Sequence, residues 1–298
     1  MTSVPEQPDS ARRALPSVLT TGQHPSRVQR KGRYVPESTR HPGKMLPAIA
    51  AQVIQAYTHP GDLVIDPMCG IGTTLVEAIH QDRDAIGVEY EPDFARLTAA
   101  NIAHARAQGA TGNAEVLCHD ARHLDTLLHD RRGRAALVLT SPPYGSYTHG
   151  HVRPQDPGCG AKVTKWNHRY STDKTNLAHR GMKELMEGFA RILAGSSMLL
   201  RPEGIVAVTV RPIRIKGELL DLPGLVIDTA EQIGLVLTDR LAALLCGLRD
   251  GRIITRASFF QMLETRRLRQ NGIPACATAH EDLLIFGQGT EALGGHTC

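Results

Sequence analysis

The chain has 298 residues, of which 41% are hydrophobic and 21% charged, and its formal net charge is only +4. That is the composition of a globular protein long enough for one large α/β domain plus arms, and it excludes a disordered, fibrous or strongly polybasic chain. Residues 1–17 have no apolar core and no apolar run is long enough to span a bilayer, so a secretory signal and a membrane partner are not expected and the protein reads as cytoplasmic.

The six cysteines stand at positions 69, 118, 159, 246, 276 and 298 without any Cys-x-x-Cys pair, so they are expected to be reduced thiols and no metal site is expected. Residues 1–22 are polar and interrupted by Pro5, Pro8 and Pro16. The stretch from Thr21 to Arg40 is basic and rich in turn residues. Together residues 1–40 read as a flexible basic arm ahead of a single domain over 41–290 that carries an inserted segment at about 145–180. After His41-Pro42-Gly43-Lys44-Met45-Leu46-Pro47, the positions Leu46, Ile49, Val53, Ile54 and Tyr57 line one face of a helix.

The chain then turns on one stretch, Asp66-Pro67-Met68-Cys69-Gly70-Ile71-Gly72-Thr73-Thr74. The apolar run Leu63–Ile65 precedes it and the helical pattern Thr73–Gln81 follows, giving strand, glycine-rich turn and helix. Gly70 and Gly72 allow a sharp turn and a close backbone approach to a ligand. Thr73 and Thr74 are placed to cap the helix. Asp66 ends the strand, at the edge where open α/β sheets bind ligands, so its carboxylate can accept hydrogen bonds or face a cation.

A second strand, Ala85–Glu89, ends in an acid roughly 20 residues beyond the glycines, the spacing at which a carboxylate meets a ribose diol. A helix from Phe94 to Ala107 and a third strand, Glu115–Cys118, follow, with Asp120 just past the strand end. The fourth strand, Leu137–Thr140, runs straight into Ser141-Pro142-Pro143-Tyr144. This β-α-β alternation predicts a parallel sheet with right-handed crossovers.

Residues 145–180 break the pattern. Their basic side chains, Arg153, Lys162, Lys165 and Arg169 among them, are interleaved with Trp166, which suits a lid or a nucleic-acid surface that orders on binding. A helix over 185–200, a strand over 204–210, a helix over 222–233 and two closing strands over 235–245 and 282–286 complete the reading. A second basic cluster, Arg249, Arg252, Arg256, Arg266, Arg267 and Arg269, lies between the closing strands.

Taken together the glycine loop, the acid after the second strand and Ser141–Tyr144 resemble the amino-group DNA methyltransferases, which methylate cytosine N4 or adenine N6 with S-adenosylmethionine. The resemblance is strong over 41–144 and weaker to 286. It implies a Rossmann-like methyltransferase fold, a mixed seven-stranded sheet with helices on both faces and an antiparallel last strand. It assigns the cofactor to Asp66, Pro67, Cys69, Gly70, Gly72, Thr73 and Thr74, its ribose to Glu89 and its adenine to Asp120. Lys44 falls in an element similar to the family's His-Pro-x-Lys segment, which closes over the cofactor; one extra residue precedes its second proline. The resemblance assigns the target base to Ser141, Pro142, Pro143 and Tyr144. It implies DNA as partner, either duplex with base flipping or single-stranded, in a restriction-modification setting whose partner is unidentified.

Transfer from a sulfonium needs positioning of the nitrogen rather than a covalent adduct, so no nucleophilic cysteine is expected and Cys69 reads as structural. Ser141 Oγ and the Pro142 carbonyl are placed to pull the amino hydrogens out of plane, and the prolines stiffen that turn. Serine before Pro-Pro-Tyr goes more often with cytosine in the resembling family. An RNA N-methyltransferase and a cofactor-binding, DNA-associated protein without turnover are the two alternatives.

Overall fold

A computed structural model describes residues 15–144, 152–153, 164–165, 173, 175–215, 217–257 and 259–289. In chain order the first elements are β1 (Val18–Leu19), α1 (Ser26–Arg30), α2 (Pro47–Tyr57), β2 (Leu63–Asp66), α3 (Thr73–Ile79), β3 (Asp84–Glu89), α4 (Pro92–Ala107), β4 (Ala114–Cys118), α5 (Leu124–Leu127) and β5 (Ala135–Thr140). After β5 come β6 (Val152–Arg153), β7 (Thr164–Lys165), α6 (Met182–Leu199), β8 (Leu200–Val210), β9 (Ile213–Ile215), β10 (Glu218–Leu220), α7 (Leu222–Gln232), β11 (Leu235–Leu244), β12 (Gly247–Arg249), β13 (Arg252–Ile254), α8 (Phe259–Gln270) and β14 (His280–Gln288).

The main sheet has eight strands in the order β1-β11-β14-β8-β5-β2-β3-β4. All neighbours are parallel except that β14 runs antiparallel to both β11 and β8. Seven of these strands are those the sequence pattern predicts, including the reversed last strand. The eighth, β1, is an addition: Val18 and Leu19 pair with Ala242 and Ala243.

Helices cover both faces, as expected. On one side Ile49, Val53 and Ile54 of α2 and Leu75, Val76 and Ile79 of α3 pack with Val64 of β2 and Leu137 of β5. On the other, Phe189, Ile192 and Leu193 of α6 and Val226 of α7 pack with Ile65 and Val138. Consecutive residues of β2 thus bury opposite sides, which is why its sequence is continuously apolar.

The segment over 15–40 differs from the expected flexible arm. Leu19, Tyr34 and Ser38 are buried. Arg33 Nη2 donates to Glu77 Oε2 at 2.7 Å, and the Tyr34 hydroxyl donates to Glu77 Oε1 at 2.7 Å. Arg30, also buried, donates to Thr73 Oγ1 at 3.3 Å and to the Met45 carbonyl. Two of the arm's cations are thus spent on the back of the glycine loop and its helix. A charge run reads the same in sequence whether it faces solvent or a buried glutamate. Residues 1–14 lie outside the described residues.

The short helices α1 and α5, the β9–β10 and β12–β13 hairpins and α8 were not anticipated; the last hairpin and α8 lie in the span read only as a basic stretch between the closing strands. In the insertion over 145–180, β6 and β7 form an antiparallel pair, Val152 with Lys165 and Arg153 with Thr164. Lys162, Trp166 and Arg169 lie outside the described residues, as do the side chains of Arg153 and Lys165.

Candidate active site

The strand order places β3 and β4 on one side of β2, and β5 and β8 on the other. The chain therefore switches direction between β2 and β5, and a crevice opens outside their carboxyl ends, where sheets of this kind bind ligands. A cavity of about 460 Å³ occupies that crevice and is walled by the glycine loop, Glu89, Asp120 and Ser141–Tyr144 together.

The loop is held by its own backbone and by two buried acids. Gly70 and Gly72 have φ of 57° and 77°, the left-handed region that favours glycine. A Cβ on Gly70 would meet His41 Nε2 at 2.9 Å, and one on Gly72 would meet Thr98 Cγ2 at 2.6 Å. Asp66 Oδ2 accepts from Thr74 Oγ1 at 2.6 Å and Oδ1 from the Met68 N–H at 3.1 Å. Glu89 Oε2 accepts the Gly70 N–H and Oε1 the Glu91 N–H, each at 2.8 Å. Neither threonine caps α3; Gly72 stands at its N-terminus, Thr74 braces Asp66 and Thr73 meets Arg30.

Burial dominates the electrostatics. It pushes Asp66 up to about 6, against the opposing hydrogen bonds from Thr74 and Met68. It pushes Glu89 up to about 7, against the amides of Glu91 and Gly70. Burial, with the charges of Asp66 and Glu89, also drives the Cys69 thiol up, which keeps it protonated and agrees with a structural role. Lys44 lines the cavity and donates to the His41 carbonyl; burial and the nearby Arg30 bring it down to about 8. Asp120 caps the short turn over 121–123 and is ion-paired to Arg122 at 2.5 Å. Burial alone would raise it, but hydrogen bonds from the Arg122 side chain and backbone hold it below the usual carboxylate range.

Pro67, Cys69, Gly70 and Thr73 also line the cavity. Gly72 and Thr74 stand behind it, shaping the loop. At the other end Tyr144 carries the Arg211 guanidinium 5.5 Å from its ring centroid. Thr209 and Glu281 complete that wall, and burial raises Glu281 while Arg211 opposes the shift. Thr209 Oγ1 is buried with no hydrogen-bond partner among the described residues.

Sequence reading missed Tyr90, Arg122, Asn176, Thr209, Arg211 and Glu281. Arg211 was findable, since it follows the carboxyl end of β8. Glu281 was not: it lies at the start of a strand, and reaches the same sheet edge only because β14 is reversed.

Residues 11–100 match the family model described as DNA methylase. Over that stretch the chain is similar to the amino-group DNA methyltransferases. The Type II methyltransferase M.BglI of Bacillus subtilis is 33% identical over 72 residues, covering 23% of this chain and 21% of that protein. The tRNA (guanine(10)-N2)-dimethyltransferase of Methanocaldococcus jannaschii is 33% identical over 110 residues, covering 36% of this chain and 31% of that protein. The matched stretches thus span less than a third of either curated relative. Among solved structures, TrmN from Thermus thermophilus has 18% identity and a TM-score of 0.49, covering 88% of this chain and 53% of that chain.

S-adenosylmethionine is the cofactor this relationship assigns, and the donor set fits it. Glu89 faces the cavity with lone pairs beyond those taken by the two amides, suited to a ribose diol, and two buried acids suit a sulfonium. Because the folded acids hold their protons more tightly than the unfolded chain, their contribution to stability is fully present below about pH 4 and is lost as pH rises through about 6 and about 7. Cofactor binding has the opposite sign, since the ionised carboxylate is the better acceptor. Affinity measured by calorimetry is expected to rise as pH passes through about 7, and Glu89→Gln to flatten that rise. A wild-type profile that stays level from pH 6 to 8 would dissociate Glu89 from the cofactor.

Proposed function

We propose that the protein is an S-adenosylmethionine-dependent methyltransferase that modifies an exocyclic amino group of DNA, with cytosine N4 as the target. The observation that carries this reading is the meeting of the Asp66–Thr74 loop, Glu89 and Ser141–Tyr144 around one cavity at the switch point of the sheet. The bound cofactor supplies an activated methyl group, and the chain supplies position and electrostatics. Glu89 and the loop amides fix the cofactor, and Asp120 with Arg122 borders the adenine end. Ser141 Oγ and the Pro142 carbonyl accept the amino hydrogens, which directs the nitrogen lone pair at the methyl group. Tyr144 offers a stacking face, and its contact with Arg211 places a cation where the acceptor edge of cytosine, N3 and O2, is to be read. An extrahelical or single-stranded base is required to reach this depth.

Support for DNA comes from the DNA methylase match and the M.BglI relative. One observation favours a second reading, methylation of RNA: the tRNA methyltransferase relative matches over 110 residues, against 72 for M.BglI. Incubation with labelled S-adenosylmethionine and either unmethylated DNA or tRNA, followed by digestion to nucleosides and mass spectrometry, distinguishes them. N4-methylcytosine in the DNA digest is the expected product. N6-methyladenine alone would overturn the base assignment, and label found only in tRNA would overturn DNA as substrate.

A further inference from the structure

The β12–β13 hairpin is the feature that the cofactor and base sites do not use. Its pairs are Gly247 with Ile254, Leu248 with Ile253 and Arg249 with Arg252, closed by Asp250 and Gly251. Both turn residues have positive φ, 50° and 71°, the geometry of a tight two-residue turn whose twist matches its strands. Alternation sends Leu248 and Ile253 to one face, and Arg249 and Arg252 to the other.

Each face is unfinished as it stands. Leu248 is 44% and Ile253 66% exposed, though both are apolar. Arg249 and Arg252 sit directly across from each other, a like-charge arrangement that is unfavourable unless an anion lies between them. Neither has an ion pair among the described residues.

The base of the hairpin is fastened to the rim of the cavity. Leu245, two residues before it, and Arg256, two residues after it, both line the cavity. Arg256 donates to the carbonyls of Gly22 and Gln23 at 2.8 and 2.7 Å, and the Leu248 N–H donates to Gln23 Oε1 at 3.2 Å. His24, next in the chain, is itself a cavity residue. With about 3.3 Å of rise per residue, the tip lies roughly 10 Å along the hairpin from that base.

We propose that this hairpin is a duplex-DNA wedge: Arg249 and Arg252 clamp a backbone phosphate while Leu248 and Ile253 lie against the base step exposed when the target base leaves the stack. The proposal rests on the nucleic-acid reading of the cavity. Apolar side chains inserted at a base step offset its lost stacking, and paired guanidinium groups suit a phosphate oxygen pair. The commitment to duplex follows from the apolar face, since a single strand presents no step to hold open.

The test measures methyl transfer from labelled S-adenosylmethionine to PCR-amplified duplex DNA, to the same DNA heat-denatured, and to total tRNA. For Leu248→Ser/Ile253→Ser, transfer to duplex is expected to fall at least about 10-fold, the scale of a lost wedge contact, with transfer to denatured DNA kept within about twofold. For Arg249→Ala/Arg252→Ala, the slope of log affinity for the duplex against log salt is expected to become shallower by roughly one unit for the one phosphate released. Unchanged cofactor affinity in both variants establishes that the fold is intact. If the wild type methylates duplex DNA and both variants match it in rate and salt slope, the hairpin assignment fails while the methyltransferase reading stands. If the wild type labels only tRNA, the duplex partner is wrong. If it labels nothing, the underlying reading fails with it.

Discussion

Glu89→Ala is expected to weaken S-adenosylmethionine binding by at least about 100-fold, close to 2.7 kcal/mol. Two effects act together. The variant loses the carboxylate proposed to meet the ribose, and it unties the glycine loop from the end of β3. In the wild type the Gly70 N–H and the Glu91 N–H each donate to this one side chain at 2.8 Å. Hydrogen bonds to a charged group contribute about 1.5–3 kcal/mol each, and truncation removes the shared acceptor of both amides at once. Glu89→Gln is not a neutral comparison, because its amide nitrogen must face one of two donors; an intermediate loss is expected. Titration calorimetry gives the affinities, and circular dichroism reports whether the fold survives. A Glu89→Ala protein that keeps wild-type affinity would remove this residue from the site.

The companion acid is expected to behave differently. Asp66 spends both oxygens inside the loop, on Thr74 and on Met68. Asp66→Ala should therefore lower thermal stability by about 1–3 kcal/mol, the cost of stranding buried donors, as well as weakening the cofactor. Position at a strand end predicts a carboxylate near the ligand. It does not reveal whether that carboxylate turns toward the ligand or toward its own loop.

That distinction marks what was legible in the sequence. The central strands were the most readable, because parallel strands buried on both faces are short apolar runs between turn signals. Residues 63–66 and 135–140 show this clearly. The loop was readable because a strand, two close glycines and a helix admit few geometries. β1 was not, because two residues carry no period. Nor was the packing of residues 15–40, where Leu19 and Tyr34 are the buried anchors within a polar stretch. The far wall of the cavity was the least legible part. Thr209, Arg211 and Glu281 come from two strands about 70 residues apart that meet only through an antiparallel pairing, Leu283 with Thr209 and Asp282 with Val210.

Ser141→Ala is expected to reduce turnover about 100-fold while leaving cofactor affinity unchanged, a split that tests whether the hydroxyl acts on the reacting nitrogen. The amino group of cytosine is conjugated with its ring, so its lone pair is unavailable in the resting geometry. An acceptor that draws a hydrogen out of plane interacts more strongly as the nitrogen becomes tetrahedral, and so favours the transition state over bound substrate. The chain gives Ser141 the means to hold that position. Thr140 before it is fixed in β5, and Pro142 after it restricts its backbone to extended conformations. The side chain lies in the wall of the same cavity as Glu89, with the end of β2 between them, and it touches none of the loop's hydrogen bonds to Asp66 or Glu89. Truncating it therefore leaves the cofactor side intact. Single-turnover rates with saturating DNA and labelled cofactor measure the chemical step, and calorimetry measures the binding. Tyr144→Ala is expected to raise the KM for DNA more than it lowers kcat, since a stacking face holds the base in both ground and transition states. Full turnover by Ser141→Ala would leave the Pro142 carbonyl as the sole acceptor in the turn, and Ser141 as a residue that only shapes it.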